Sequence, residues 1–283
     1  MMVFLNGRLV PQAQATVSIF DRSFLYGDGL FETLRVVRGR PFRGGEHWER
    51  LQRGCRFLKI RLPVSHTELA EGIDDLVQLN QMSEAILRVT VSRGVGVRGY
   101  SPEAAVSPTL VMTLHPLPEA WTSARTGQPV QWKLQTSSQV LPSGAPLAHF
   151  KTANKLPQIL ARAEAAAAGA DEALMRNSEG FVIEGSAANL FWIGRDTVYT
   201  APTDSGILPG ITRAVILALC RELGLTIREQ LIPPAALTGA QGVFLTLSSL
   251  GVVEAVALDG RGLARSPLTQ RLAQAYEELL TKH

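Results

Sequence analysis

The segment PLPEAWTSARTGQP, residues 116–129, divides this chain more sharply than any other feature. It is rich in Pro, Gly, Ser and Thr and carries no apolar period, so it reads as a connection between folding units. Its position gives 1–116 to a small N-terminal domain, 117–129 to a linker and 130–283 to a larger C-terminal domain. A length of 283 residues suits two domains at roughly 150 residues each.

Both halves mix strand and helix signals. In the first, Asn6-Gly7 between two apolar runs is a hairpin signal, and Arg38-Gly39 turns GLFETLRVVRGRPF back on itself. Trp48, Leu51, Cys55 and Leu58 recur at helical spacing. Ser65 and Glu68 form a capping box for a helix running to about Gln81. EAILRVTVSRG and SPTLVMTLHP then read as buried strands. In the second half, a strand and the Pro/Gly loop LPSGAPLAHFK lead to an alanine-rich helix from near Pro157 to Gly169. A meander of short strands follows from Asp171 to Pro202, and a helix starts after Pro209-Gly210. Two strands with a polar interruption make GVFLTLSSLGVVEAVALDGR, and the last helix spans about Pro267 to Thr281. The expected fold class is α+β, in two domains.

Charge and composition narrow the function. The net charge is +3 and the basic residues are scattered, which argues against nucleic-acid binding. No apolar run approaches the roughly 18 residues of a membrane span, and the N-terminus lacks the pattern of a signal peptide. Two cysteines, Cys55 and Cys220, make no disulfide framework and sit on apolar helix faces, so the expected place is the cytoplasm and their expected role is core packing. No metal-ligand cluster is visible. Only five of the 28 basic residues are lysine, which leaves few amines for nucleophilic chemistry.

Four patterns carry possible chemistry. Lys151 lies between the Pro/Gly loop and a helix start, while Glu184 ends the strand FVIEGS, where an inward carboxylate needs a cationic partner. On spacing alone, a solvated lysine and a solvated strand-end carboxylate are the simpler reading. In LPGITR, Gly210 lets the backbone approach a ligand, and Ile211, Thr212 and Arg213 open a helix with free amides and a positive dipole end. The hydroxyls of SSLG, from Ser248 to Gly251, either complete such a phosphate cradle or mark a strand bulge. The loop SRGVGVRGY carries Arg93 and Arg98, which suits a carboxylate clamp or plain solvation.

Together these stretches resemble one family. YGDGLFETLR, HWERL, SRGVGVRGYSP, the K-x-x-N of Lys151 and Asn154, FVIEGSAANLFW, LPGITR and SSLGVV occur in the order found in fold-type IV pyridoxal-phosphate enzymes. The resemblance covers essentially the whole chain. It implies a small α/β domain followed by a larger domain with a β-barrel-like core, the cofactor pyridoxal 5'-phosphate, and a homodimer. Lys151 would bond the cofactor and shuttle the proton, and Glu184 would pair with the pyridine nitrogen. Arg50, the amides of Ile211 and Thr212, Ser248 and Ser249 would hold the phosphate, and Asn154 would belong to the cofactor set.

Within the family, Thr33, Tyr100 and the SSLGVV loop resemble the 4-amino-4-deoxychorismate lyase branch, which releases pyruvate to give 4-aminobenzoate for folate synthesis. That branch would give Thr33 a catalytic proton-relay role. A substrate with two carboxylates would call on Arg35 and Arg98, with Arg93 and Tyr100 on the same loop. The alternative is an aminotransferase of the same fold acting on D-amino acids or branched-chain amino acids. It needs the same lysine, glutamate and phosphate cup.

Overall fold

The computed structural model describes the chain apart from Ala104, Val106 and residues 122–127. The middle of the linker expected at 117–129 therefore lies outside the described residues. The chain forms two compact units. One comprises Met1–Leu117, Phe150–Lys155 and His283, and the other comprises Pro118–His149 and Leu156–Lys282.

The first unit is built on an antiparallel six-stranded sheet. Its strands are β1 (Met2–Leu5), β2 (Arg8–Pro11), β3 (Gly29–Val37), β4 (Arg40–Pro41), β5 (Ala85–Ser92) and β6 (Thr109–His115), in the order β2-β1-β6-β5-β3-β4. The β1–β2 turn falls at Asn6 and Gly7 and the β3–β4 turn at Arg38 and Gly39, all four with positive φ, as the tight hairpin requires. Helices α1 (Arg22–Tyr26), α2 (Gly44–Leu58) and α3 (His66–Asn80) accompany the sheet. The capping box is present: Glu68 N donates to Ser65 Oγ and Ser65 N donates to the Glu68 carboxylate. Helix α1 has no sequence signal beyond its Asp21 cap, because five residues are too few for a period. Leu30, Leu34 and Val36 of β3 face the core with Leu51, Cys55, Ile73 and Leu76 of the helices. Alternation turns Phe31, Thr33 and Arg35 to the opposite face.

The division differs from the sequence-based bounds in one consequential way. Phe150–Lys155 belongs to the first unit, not to the C-terminal domain that 130–283 would define. The reason lies in the ladder. Strand β4 pairs only with Val36 and Val37, leaving the other end of that β3 edge open. Phe31 N donates to Lys151 O and Ala153 N donates to Gly29 O, both at 2.8 Å, so Phe150–Lys155 completes the edge. His283 also joins this unit, its ring edge-on to Phe42.

The second unit contains a closed barrel. Strands β7 (Val130–Leu141), β8 (Glu172–Asn177), β9 (Val182–Gly185), β10 (Asn189–Gly194), β13 (Gly242–Leu247) and β14 (Gly251–Leu258) form the ring β10-β13-β14-β7-β8-β9, which returns to β10. Strands β11 (Thr197–Thr200) and β12 (Thr226–Glu229) extend it from β10, and β15 (Arg261–Gly262) pairs with β14. Leu134, Leu174, Val182, Leu190 and Leu245 share one core cluster. Helix α4 (Leu156–Ala167) packs small residues, Ala161 and Ala165, against Ala173 and Met175 of β8. Helices α5 (Ile211–Glu222), α6 (Pro234–Leu237) and α7 (Pro267–Lys282) complete the unit. Strand β12 and the one-turn α6 carry too little period to be read from sequence. Cys55 and Cys220 are buried, and burial pushes their thiols up to about 12 and about 11. Among the described residues, no helix is long and apolar enough to cross a membrane.

Candidate active site

In the first unit, the edge position of Lys151 carries its ammonium over the ring of Phe31, 4.7 Å from the centroid. Thr33 shares that face two residues further along β3, and its register partner is Arg88 on β5. The Arg88 guanidinium lies 3.9 Å from the same Phe31 centroid. Arg88 is half-buried and has no carboxylate partner among the described residues; desolvation lowers its pKa. The sequence reading passed over it. Its one signal was a charged residue inside the apolar run of AILRVTV.

Arg50 projects from α2 into a buried charge cluster. Its Nε and Nη2 donate to the two oxygens of Glu32 at 2.8 and 2.7 Å, and His47 Nδ1 lies 2.6 Å from Glu32 Oε2. Burial alone would raise the Glu32 pKa, but Arg50 and His47 outweigh it and hold the carboxyl at about 2. His47 is lowered, chiefly by burial, although its contact with the Glu32 carboxylate acts in the opposite sense. Glu32 thus orients the guanidinium proposed for the phosphate. The one-turn spacing of His47 and Arg50 puts them on one helix face, but nothing in the sequence ties Glu32 to them.

The other predicted arginines separate by partner. Arg35 is buried and donates to Glu84 at 2.7 Å. Arg93, expected to offer a second cation to substrate, is committed elsewhere. Its Nε and Nη2 hold both oxygens of Asp28, and its remaining contacts reach the carbonyls of Leu58 and Lys59, so four of its five N–H groups are used. Arg22 completes this clamp: it donates to Asp28 and to the carbonyls of Gly99, Tyr100 and Ser101. The two guanidiniums overcome burial and lower the Asp28 pKa. The clamp anchors the loop, leaving Arg98 and Tyr100 exposed at its tip, with Tyr100 edge-on to Tyr26. Asn154 is exposed, and its backbone crowds Gly27 at the end of α1.

In the second unit, Glu184 is held as an acceptor. Its Oε2 receives Leu208 N at 3.0 Å and Asn189 Nδ2 at 3.3 Å, and Asn189 also donates to Leu208 O at 2.8 Å. A fixed carboxylate of this kind suits a protonated ring nitrogen. Gly210 precedes α5 as its N-cap and supplies no side-chain cap, so the first amides, Ile211 and Thr212 among them, are presented as an anion site. A Cβ on Gly210 would lie 2.0 Å from Asn189 Oδ1, so the tight approach of this turn demands glycine. Thr246 pairs with Asn189 across the ladder and leads to Ser248 and Ser249, which are half-buried in the β13–β14 turn. Its own hydroxyl is buried without a partner among the described residues. An uncapped helix start, serine hydroxyls and a fixed acidic acceptor fit a phosphorylated pyridine. Asn189, which the sequence reading missed, links the acid to the helix start.

The model of the class IV amino-transferase family matches residues 29–258. A putative branched-chain-amino-acid aminotransferase of Methanocaldococcus jannaschii is 31% identical, with 100% of this chain and 97% of that protein covered. The 4-amino-4-deoxychorismate lyase structure from Pseudomonas aeruginosa aligns with a TM-score of 0.84 at 32% identity, covering 98% of each chain. The branched-chain amino acid aminotransferase of T.th, complexed with N-(5'-phosphopyridoxyl)-L-glutamate, aligns with a TM-score of 0.89 at 28% identity, covering 99% of this chain and 94% of that one. With the family model spanning most of its length and the barrel, lysine strand and acid in place, this chain belongs to the class IV amino-transferase family of fold-type IV pyridoxal-phosphate enzymes.

Proposed function

We propose that the chain is a 4-amino-4-deoxychorismate lyase, converting its substrate to 4-aminobenzoate and pyruvate. The observation that carries this reading is the shared face of Lys151, Phe31, Thr33 and Arg88. It offers an amine, a hydroxyl and a desolvated cation together. When bound, pyridoxal phosphate supplies an electron sink for the carbon that bears the substrate nitrogen. Lys151 Nζ takes the proton from that carbon. Thr33 Oγ1 hydrogen-bonds or protonates the departing enolpyruvyl group. Arg88 binds a substrate carboxylate, with Arg98 at the loop tip as a second anchor. Glu184 keeps the pyridine nitrogen protonated, while Arg50, the α5 amides, Ser248 and Ser249 hold the phosphate. The elimination needs no oxidant, since the substrate's atoms divide completely between the two products and ring aromatisation drives it.

A second reading is an aminotransferase, favoured by the end-to-end likeness to the Methanocaldococcus protein. It uses the same lysine and acid, with Arg88 on the carboxylate of an amino acid or 2-oxo acid. The deciding experiment supplies cofactor-loaded protein with 4-amino-4-deoxychorismate in one assay, and in parallel assays with D-alanine or a branched-chain amino acid plus 2-oxoglutarate. Rapid 4-aminobenzoate release with slow transamination supports the lyase, and the reverse supports the aminotransferase. We further infer a homodimer, because Phe20, Phe24, Val97 and Tyr100 of the first unit are exposed. A monomeric mass by light scattering would remove that inference.

A further inference from the structure

Arg22, the first residue of α1, ties both ends of the loop that carries Arg98. Its backbone N–H donates to Gly94 O at 2.9 Å, beside the bridge that pairs Asp21 with Val95. Its guanidinium takes the other end. Nη1 donates to Gly99 O at 2.8 Å and to Ser101 O at 3.3 Å, and Nη2 donates to Tyr100 O at 3.2 Å. The stretch between these ends is a short arch, and Arg98 is the last residue of it before the pinned Gly99.

The guanidinium is itself fixed. Its Nε donates to Asp28 Oδ2 at 2.8 Å, so four of its five N–H groups are used. It lies 5.1 Å from the ring centroid of Tyr26, whose Oη accepts Gly99 N at 3.3 Å. A Cβ on Gly96 would stand 3.2 Å from Arg22 Cδ, so the arch rests on the side-chain stem. Arg22 is 4% exposed, whereas Val95, Val97, Arg98 and Tyr100 are all exposed. The buried cation therefore serves the loop and not the core of the unit.

We propose that Arg22 is a positioning residue for Arg98, and that through it the chain selects ligands with two carboxylates over ligands with one. The inference rests on the role given above to Arg98, the second carboxylate anchor after Arg88. A guanidinium on a loose arch must be ordered at each binding event, which costs backbone and rotamer freedom. Arg22 imposes that order in the free protein. Arg88 stands in the β3–β5 ladder and not on the loop, so the effect falls on the second carboxylate.

The test titrates the holoenzyme by calorimetry with isophthalate, a ring with two carboxylates and no amine, and with benzoate, which has one. Arg22→Gln should weaken isophthalate binding roughly tenfold and leave benzoate within about twofold. Arg98→Ala should do the same. The double variant should lose little more than either single one, because both remove the same anchor. Arg22→Lys keeps a cation at Asp28 but lacks the fork that reaches three carbonyls, so it should lose nearly as much. It also carries the test if Arg22→Gln does not fold. Amide exchange across residues 94–101 should quicken in both Arg22 variants. Additive losses in the cycle, an equal fall for benzoate, unchanged loop exchange, or isophthalate binding indifferent to Arg98→Ala would each overturn the proposal. None of these readouts needs turnover, so their failure is separate from failure of the lyase reading.

Discussion

Glu184 and Asn189 face each other in the register pair that joins β9 to β10 and closes the barrel, and Asn189 Nδ2 lies 3.3 Å from Glu184 Oε2. The acid proposed for the cofactor nitrogen is therefore fixed by the same contact that completes the fold. Asn189→Asp should set a carboxylate beside Glu184 and raise its pKa through like-charge repulsion. We expect roughly tenfold or greater loss of cofactor affinity, with Asn189→Ala less affected. Cofactor titration of the apoprotein measures this. Indistinguishable affinities for Asp and wild type would show that Asn189 serves closure alone.

Gly210→Ala forces a Cβ toward Asn189 Oδ1 at 2.0 Å, so either the helix start or Asn189 must shift. Both moves disturb the anion site. Affinity for inorganic phosphate and for the cofactor should fall together, by roughly tenfold. A loss of stability with phosphate affinity unchanged would place the helix start outside the cup.

Lys151→Ala should yield a colourless protein with no measurable turnover, because the chain then lacks the amine proposed to bond the cofactor and move the proton. The visible spectrum and the 4-aminobenzoate assay are read on the same preparation. Turnover retained by the variant would mean that another amine does this work.

Thr33→Val keeps the shape of the side chain and removes its hydroxyl. If Thr33 assists the departing group, 4-aminobenzoate formation should drop by about a hundredfold, while side transamination changes little. Equal losses in the two activities would deny Thr33 a special part in elimination.

Acid should weaken the first unit in two stages. His47 in the fold binds its proton less tightly than the reference value of 6.5, because of burial first and then repulsion from Arg50 and Lys151. Its contribution is whole above about pH 6.5 and is lost as pH falls through the lowered folded value. Glu32, lowered from 4.5 to about 2, adds a second loss that begins near pH 4.5. Thermal unfolding of His47→Gln across pH 7 to pH 5 should show a flatter profile than wild type, since one proton accounts for at most about 1.4 kcal/mol per pH unit. Parallel profiles would exclude His47 as the group responsible.

Much of this protein was legible as sequence where the deciding contacts are local. Turns at Asn6-Gly7 and Arg38-Gly39, the Ser65–Glu68 box, the helix after Gly210 and the packing faces of Trp48, Leu51 and Cys55 involve neighbours a few residues apart, and each stands in the structure. The motif order likewise points to the family. The tie between Arg93 and Asp28 was not legible, because nothing in SRGVGVRGY indicates a carboxylate 65 residues earlier.

What the sequence by itself determined is the inventory: which segments become strands and helices, which glycines turn the chain, and which lysine and acid are available. Tertiary structure alone decided the groupings. It placed Lys151 on the open edge of β3 in the first unit, set Arg88 across from Thr33, tied Arg50 to Glu32 and His47, and tied Asn189 to Glu184 and Leu208. These partners meet because a ladder has an unpaired edge or a buried charge needs an opposite one. Such demands arise only when distant segments pack together, and so they leave no mark in residue spacing.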